Sequence, residues 1–201
     1  MTPDLLAALA TFALVTVITP GPNNLMLMAS GTNFGFVRTV PHMLGIGLGF
    51  PLMVVFVGMG VMQVFDLWPL SYTLLKMVSV VYLLWLAWKI ANAAPPGSAA
   101  GQAKGKPLTF LQSAAFQWVN PKAWSMALSA VTLYATGRDL AALVWVAGVY
   151  VAMSAISTTS WTVLGQQVRH LLNSPVRLRL FNRIMAGLLV ATLVPVLWPA
   201  G

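Results

Sequence analysis

The sequence contains no cysteine and no glutamate, and only three acidic residues among 201. The missing cysteine excludes disulfides and thiolate metal sites outright. Charged residues make up 7% of the chain, against about a quarter in a soluble domain, so a soluble globular class is excluded too. What fills the chain instead is apolar: 59% of residues are hydrophobic and the mean hydropathy is +0.83, as expected of an integral membrane protein. The net charge of +8 comes from basic residues set mostly in loops between apolar runs. They read as topology signals for a lipid bilayer, not as a nucleic-acid surface.

Six apolar spans are expected: Leu5 to Met28, Val40 to Met62, Leu70 to Ile90, Phe110 to Leu133, Leu140 to Leu164, and Phe181 to Trp198. The first run is too long for a signal peptide and no Lys or Arg precedes it, so it reads as a membrane span. The third and fourth are separated by Ala93 to Pro107, an Ala-, Gly-, Pro- and Lys-containing linker. Connections one, three and five, with their flanks, carry Arg38, Lys89, Lys104, Lys106, Arg169, Arg177, Arg179 and Arg183. The other side has only Arg138, beside Asp139, with Asp4 and Asp66. That asymmetry predicts an even-numbered bundle with both termini outside. Trp68 and Trp198 fit outer interfacial anchors, and Trp85 and Trp88 inner ones.

The first span holds the contradiction around which the chain is organised, Thr19-Pro20-Gly21-Pro22-Asn23-Asn24. Pro20 and Pro22 lack an N–H, so the carbonyls of Thr16 and Ile18 lose their helical partners. In lipid each orphaned carbonyl costs several kcal/mol unless protein or a water-filled cavity receives it. A broken helix facing something polar is therefore expected. Asn23 and Asn24 follow where the restarting helix points its free N–H groups and positive dipole end, an arrangement suited to a carboxylate. A proline kink satisfied by neighbouring helices is the alternative; the tandem prolines and amides favour a site.

Asn120-Pro121-Lys122 is the second sharp feature. Lys122 lies about 17 Å from either end of its span by helical rise, and a central lysine costs at least about 3 kcal/mol on insertion scales. Pro121 suits the first position of a helix, with Asn120 as its N-cap. Lys122 then falls in the first turn, where the dipole disfavours a cation unless an anion also binds. A structural lysine satisfied by the carbonyls of Thr16, Ile18 and Gln117 is the competing reading. An intramembrane charge is functional by default, which favours the site.

The two halves echo each other. The Pro20 to Asn24 run returns as Asn120-Pro121-Lys122, and each is followed by a span with small residues, Gly45, Gly47 and Gly49 and then Gly148, Ser154 and Ser157. Each half ends in a span with an early basic residue, Lys76 or Arg183. With three spans per half the repeats are inverted, which predicts an all-α membrane fold of two three-helix repeats, residues 1–92 and 108–201, joined by the 93–107 linker. Lys76 and Arg183 can reach the interfaces by snorkelling, with Lys76 also a gate candidate. The Gly45 to Gly49 spacing serves close packing within the chain or a homodimer face, with the former expected. Pro51 removes the partner of the Gly47 carbonyl and is a hinge candidate.

No span holds a clearly buried acid, so a cation or metal lacks oxygen ligands and a carboxylate proton relay lacks a carrier. His42 and His170 fall near membrane ends, so a hydrolase has no nucleophile–base set at depth and an enzyme is not expected. No cofactor is implied.

The run Thr19 to Met26, with Gly31, Gly35 and the glycines of span two, resembles the LysE/RhtB family of amino-acid exporters. Asn120-Pro121-Lys122-Ala123, preceded by Phe116 to Val119, is similar to that family's second signature, and Leu75-Lys76 with Tyr82-Leu83-Leu84 to its third span. The resemblance covers essentially the whole chain. It implies a bacterial inner-membrane secondary transporter exporting amino acids or close derivatives, coupled to the proton gradient. The matching positions are Pro20, Gly21, Pro22, Asn23, Asn120, Pro121 and Lys122. Members exporting basic amino acids carry an acid near the positions of Pro51 and Met126, and its absence here points to a neutral substrate. Ser79 and Ala87 replace glycines usual in the third span. A metal-ion or other small-solute exporter and a non-transporting membrane scaffold are the alternatives.

Overall fold

A computed structural model describes residues 2–61, 63–93, 105–135, 139–172 and 174–197, without the side chains of 64, 66 and 69. Among these residues the regular structure is entirely helical. α1 (Pro3–Ile18) starts at Thr2, whose Oγ1 accepts the N–H of Leu5 at 3.3 Å, with Pro3 and Asp4 in the first turn. It stops before Pro20. α2 (Pro22–Phe34) restarts after the extended Gly21, bent by 59° from α1. α2 gives way directly to α3 (Phe36–Phe56) through Gly35, whose φ of 80° is a left-handed conformation that favours glycine.

α3 runs unbroken through Pro41 and Pro51. Its departure from regular geometry comes later, in the wide turn Val57–Val61, where Gly60 has φ 101°. α4 (Gln63–Leu67) connects to α5 (Pro69–Ala91). α6 (Phe110–Phe116) opens with a reciprocal cap: Thr109 Oγ1 accepts from Gln112 N at 3.2 Å, and Gln112 Oε1 accepts from Thr109 N at 3.1 Å. A 3-10 turn (Gln117–Val119) and the extended Asn120 interrupt that rod before α7 (Pro121–Tyr134). α8 (Leu140–Leu171) and α9 (Pro175–Ala191) are capped by Asp139 and Ser174, and α10 (Val194–Leu197) ends the described chain.

Four helical stretches are long and apolar enough to cross a membrane, and the α1–α2 pair makes a fifth if counted as one bent span. Large apolar side chains such as Leu48, Leu52, Val81, Trp88 and Ile184 lie exposed on the outside of the bundle. That surface suits lipid, not water, and the protein is a multi-pass membrane protein. Several boundaries differ from those expected. The first rod continues past Met28 to Phe34, α8 continues past Leu164 to Leu171, and the last span begins at Pro175 instead of Phe181. Hydropathy misses these turns because they carry polar residues (Asn33, Gln166, Arg177) that buried partners or the membrane interface accommodate. Most of the 93–107 linker, together with Lys104, Arg138 and Trp198, lies outside the described residues.

Helix contacts place α8 and α2 at the centre. α8 packs on α1, α2 and α3, α3 also packs on α6, and α5 packs on α9. Glycines set the closest approaches. A Cβ on Gly31 of α2 would strike the Thr162 backbone, and one on Gly165 of α8 would strike the Met28 backbone. Gly45 and Gly49 face Ser113 and Ala114 of α6, so that spacing serves packing within the chain.

Candidate functional site

The break between α1 and α2 frees a run of carbonyls, and each finds a donor. Val15 O accepts from Thr19 N at 3.2 Å, and Thr16 O from the Thr19 hydroxyl at 3.0 Å. Val17 O receives Asn24 Nδ2 at 2.7 Å and Ser157 Oγ at 2.8 Å. Ile18 O takes the indole N–H of Trp161 at 3.0 Å. Thr19 O accepts from Asn24 Nδ2 at 2.8 Å and from Lys122 Nζ at 2.7 Å. The turn is thus held from three directions: by its own Asn24, by α8, and by the lysine of the other broken rod.

Lys122 reaches that turn as the two proline motifs suggest. Its ammonium donates to Thr19 O and, at 2.8 Å, to Thr19 Oγ1. Its stem lies on Gly21, where an added Cβ would sit 2.7 Å from Lys122 Cδ. The carbonyl used is that of Thr19, whereas Thr16, Ile18 and Gln117 were the expected acceptors; Thr16 O and Ile18 O are taken by the nearer Thr19 hydroxyl and Trp161, and Gln117 O by Asn120 N. An ammonium has three donors, and these two bonds use two of them.

The amides occupy different roles. Asn120 caps α7, its Oδ1 accepting from Lys122 N at 3.2 Å, with Pro121 in the first position. Asn24 is buried, and its Nδ2 donates to Val17 O in the last turn of α1 and to Thr19 O in the break. Asn23 pairs with Gln117 through two hydrogen bonds, of 2.8 and 3.1 Å, which tie the start of α2 to the turn before α7. No side chain caps α2 itself. Pro20 and Pro22 frame Gly21 beside Lys122, and Pro51 is buried within α3.

Cavities lie beside this turn and farther along the bundle. A small one of about 30 Å³ behind the turn is lined by Thr16, Asn24, Asn120, Lys122, Ser154 and Ser157. A large one of about 790 Å³ is lined by Gly21, Leu25, Tyr72, Lys76, Lys122 and Ser125 among others. No acidic side chain is among its described lining residues. A third, of about 200 Å³, lies at the far ends of α2 and α5 and is lined by Ser30, Asn33, His42, Lys89 and Lys106 with apolar neighbours. Leu25, Leu83, Phe116, Met185 and Leu189 belong to one buried apolar cluster between the second and third cavities.

The sequence pattern of LysE type translocators matches residues 14–195. The chain belongs to that family. Among curated relatives, this translocator is 35% identical over 196 residues to the cysteine/O-acetylserine efflux proteins of Escherichia coli (strain K12) and Shigella sonnei (strain Ss046), covering 94% of this chain and 96% of theirs. That of Escherichia coli O139:H28 is 36% identical over 177 residues, 85% of this chain and 87% of its own. No solved structure matches the chain.

In this translocator the roles that sequence reasoning missed are those of the Thr19 hydroxyl within the turn and of the Gln117, Ser157 and Trp161 side chains that reach it from other elements. The only signal for them was polarity inside apolar spans. His42, near the start of α3, is 1% exposed, a burial by neighbouring helices that its place in the sequence does not indicate. Among the described residues no group of three or more His, Cys, Asp or Glu comes together.

Proposed function

We propose that this translocator exports a small neutral amino acid, or a closely related carboxylate such as O-acetylserine, from cytoplasm to periplasm by alternating access. Its relatives' efflux of cysteine and O-acetylserine supports the substrate class. The observation that carries the reading is Lys122: a lysine from one broken rod anchored on the opened turn of the other, with a donor left over beside a large cavity that its lining leaves electropositive. The substrate carboxylate docks on that donor, next to the uncapped N–H groups at the start of α2. Asn23, Asn24 and Asn120 hold this geometry, and Asn23 contacts the ligand when its Gln117 partner yields.

The architecture we assign is six spans in two inverted repeats, residues 1–92 and 108–201, joined by the 93–107 linker, with both termini periplasmic. Helix pairing supports it. α3 packs on α8 and α5 on α9, as equivalent helices do across a pseudo-twofold axis, and the α1–α8 contact has its counterpart in α6–α3. With this orientation the large cavity faces the periplasm and the smaller one the cytoplasm, separated by the Leu25–Phe116–Leu189 cluster. Gly21, Gly60 and Pro51 are the hinge candidates. Export is coupled to the proton gradient, as the family resemblance implies.

Proteoliposomes loaded with a panel of labelled amino acids test this. O-acetylserine, cysteine or another small neutral amino acid leaves faster than from protein-free vesicles, and an ionophore that collapses the proton gradient slows it. Lys122→Met, at unchanged thermal stability, lowers the rate at least about tenfold, the loss of one charge-assisted contact. Wild-type export by that variant removes Lys122 from the site.

A further inference from the structure

The small cavity behind the turn, about 30 Å³, lies where the first turns of two helices meet. Gly21, Asn23 and Asn24 bring the start of α2 to its wall, and Asn120, Lys122 and Ala123 bring the start of α7. Each start is a positive dipole end, equivalent to roughly half an elementary charge. Lys122 adds a full charge, and no acid is among the described lining residues. α2 has no side-chain cap, so no side chain answers its first N–H groups.

Two buried side chains on the same wall point to an occupant. Asn120 and Ser154 are each 2% exposed and both line the cavity. Asn120 Oδ1 accepts from Lys122 N at 3.2 Å as the cap of α7, while Nδ2 has no partner among the described residues. Ser154 Oγ has none either, although Ser160 of the same helix donates back to Ile156 O at 2.8 Å. Buried polar groups are nearly always hydrogen-bonded. The ring nitrogens of His42 and the hydroxyl of Thr162 are sealed off, but these two atoms are not. The hydroxyl protons of Thr16 and Ser157 already go to Phe12 O and Val17 O, both at 2.8 Å. The open donors are therefore the amide of Asn120 and the hydroxyl of Ser154, in a space of positive potential. A water needs about 10–15 Å³ of such space, so the cavity takes one monatomic ion or a couple of waters and no amino acid.

We propose that this cavity binds one small monovalent anion of the size of chloride. Asn120 Nδ2 and Ser154 Oγ donate to it, and the two helix starts and Lys122 supply the opposing charge. Lys122 and Gly21 line both this cavity and the large one, so the ion sits across them from the space given to the substrate. Bound there, it offsets the Lys122 charge when no substrate is present. The site does not depend on which solute is exported.

Thermal unfolding of the purified protein in sodium chloride and in sodium gluconate at equal ionic strength tests this, since screening is then the same and gluconate is too large for the cavity. Chloride is expected to raise the Tm by about 3 °C, saturably. Ser154→Ala removes a hydroxyl with no protein partner, so the variant is expected to fold as wild type and to lose most of that difference. Asn120→Asp keeps the cap oxygen of α7 but replaces the open N–H groups with a carboxylate oxygen, and is expected to lose it altogether. If the wild-type protein melts at one temperature in both salts, the cavity holds only water and the anion site is wrong. If chloride raises the Tm of Ser154→Ala and Asn120→Asp as much as that of wild type, the ion binds elsewhere and the site is equally wrong.

Discussion

Lys122 owes its position to two threonine oxygens and to a missing side chain. Thr19 supplies a carbonyl and a hydroxyl, and Gly21 supplies the room for the lysine stem. Gly21 is fully extended, φ −177°, so alanine is accommodated by the backbone and the clash with Lys122 is the whole effect. Gly21→Ala is therefore expected to lower export several-fold with thermal stability nearly unchanged, measured in the same vesicles as wild type. Thr19→Val acts differently. It leaves the Thr16 carbonyl without its donor and Lys122 with one oxygen fewer, so it is expected to cost about 1–3 kcal/mol of stability, visible as a lower Tm.

Among the elements, α2 is clamped at both ends by amide pairs, Asn23 with Gln117 and Asn33 with Asn182, and pressed along its length against α8. Asn33→Ala strands the Asn182 side chain in the interior and is expected to destabilise the protein by about 1–3 kcal/mol. The glycines give a sharper contrast. Gly31→Leu or Gly165→Leu forces α2 and α8 apart and is expected to cost at least about 3 kcal/mol, at the upper end of overpacking penalties. Gly47→Leu, with nothing within 4 Å of its Cβ position, is expected to leave the Tm near wild type. Equal losses at the three positions in a thermal-shift assay would refute the close α2–α8 seam.

For the whole molecule, the absence of cysteine makes orientation directly testable. Ser125→Cys, beside the large cavity, is expected to react with a membrane-impermeant maleimide from the periplasmic side. Asn92→Cys, beside the smaller cavity, is expected to react only from the cytoplasmic side. Reaction of both from one face would overturn the proposed placement of the two cavities on opposite sides of the apolar cluster. Lys76, which shares the large cavity with Lys122, adds to its positive character, and Lys76→Gln is expected to weaken export less than Lys122→Met.

The sequence by itself determined the membrane class and the two interruptions at Pro20–Pro22 and at Asn120–Pro121. Each is a local property: apolar run length, and a proline without an N–H. Tertiary structure alone decided which group answers each freed carbonyl. Trp161 lies 143 residues from Ile18 and Ser157 140 residues from Val17, so only folding brings the donors to the turn. It decided likewise that His42 is buried and that Asn24 turns back onto its own segment, since a side chain's partners depend on neighbouring helices that no stretch of sequence names.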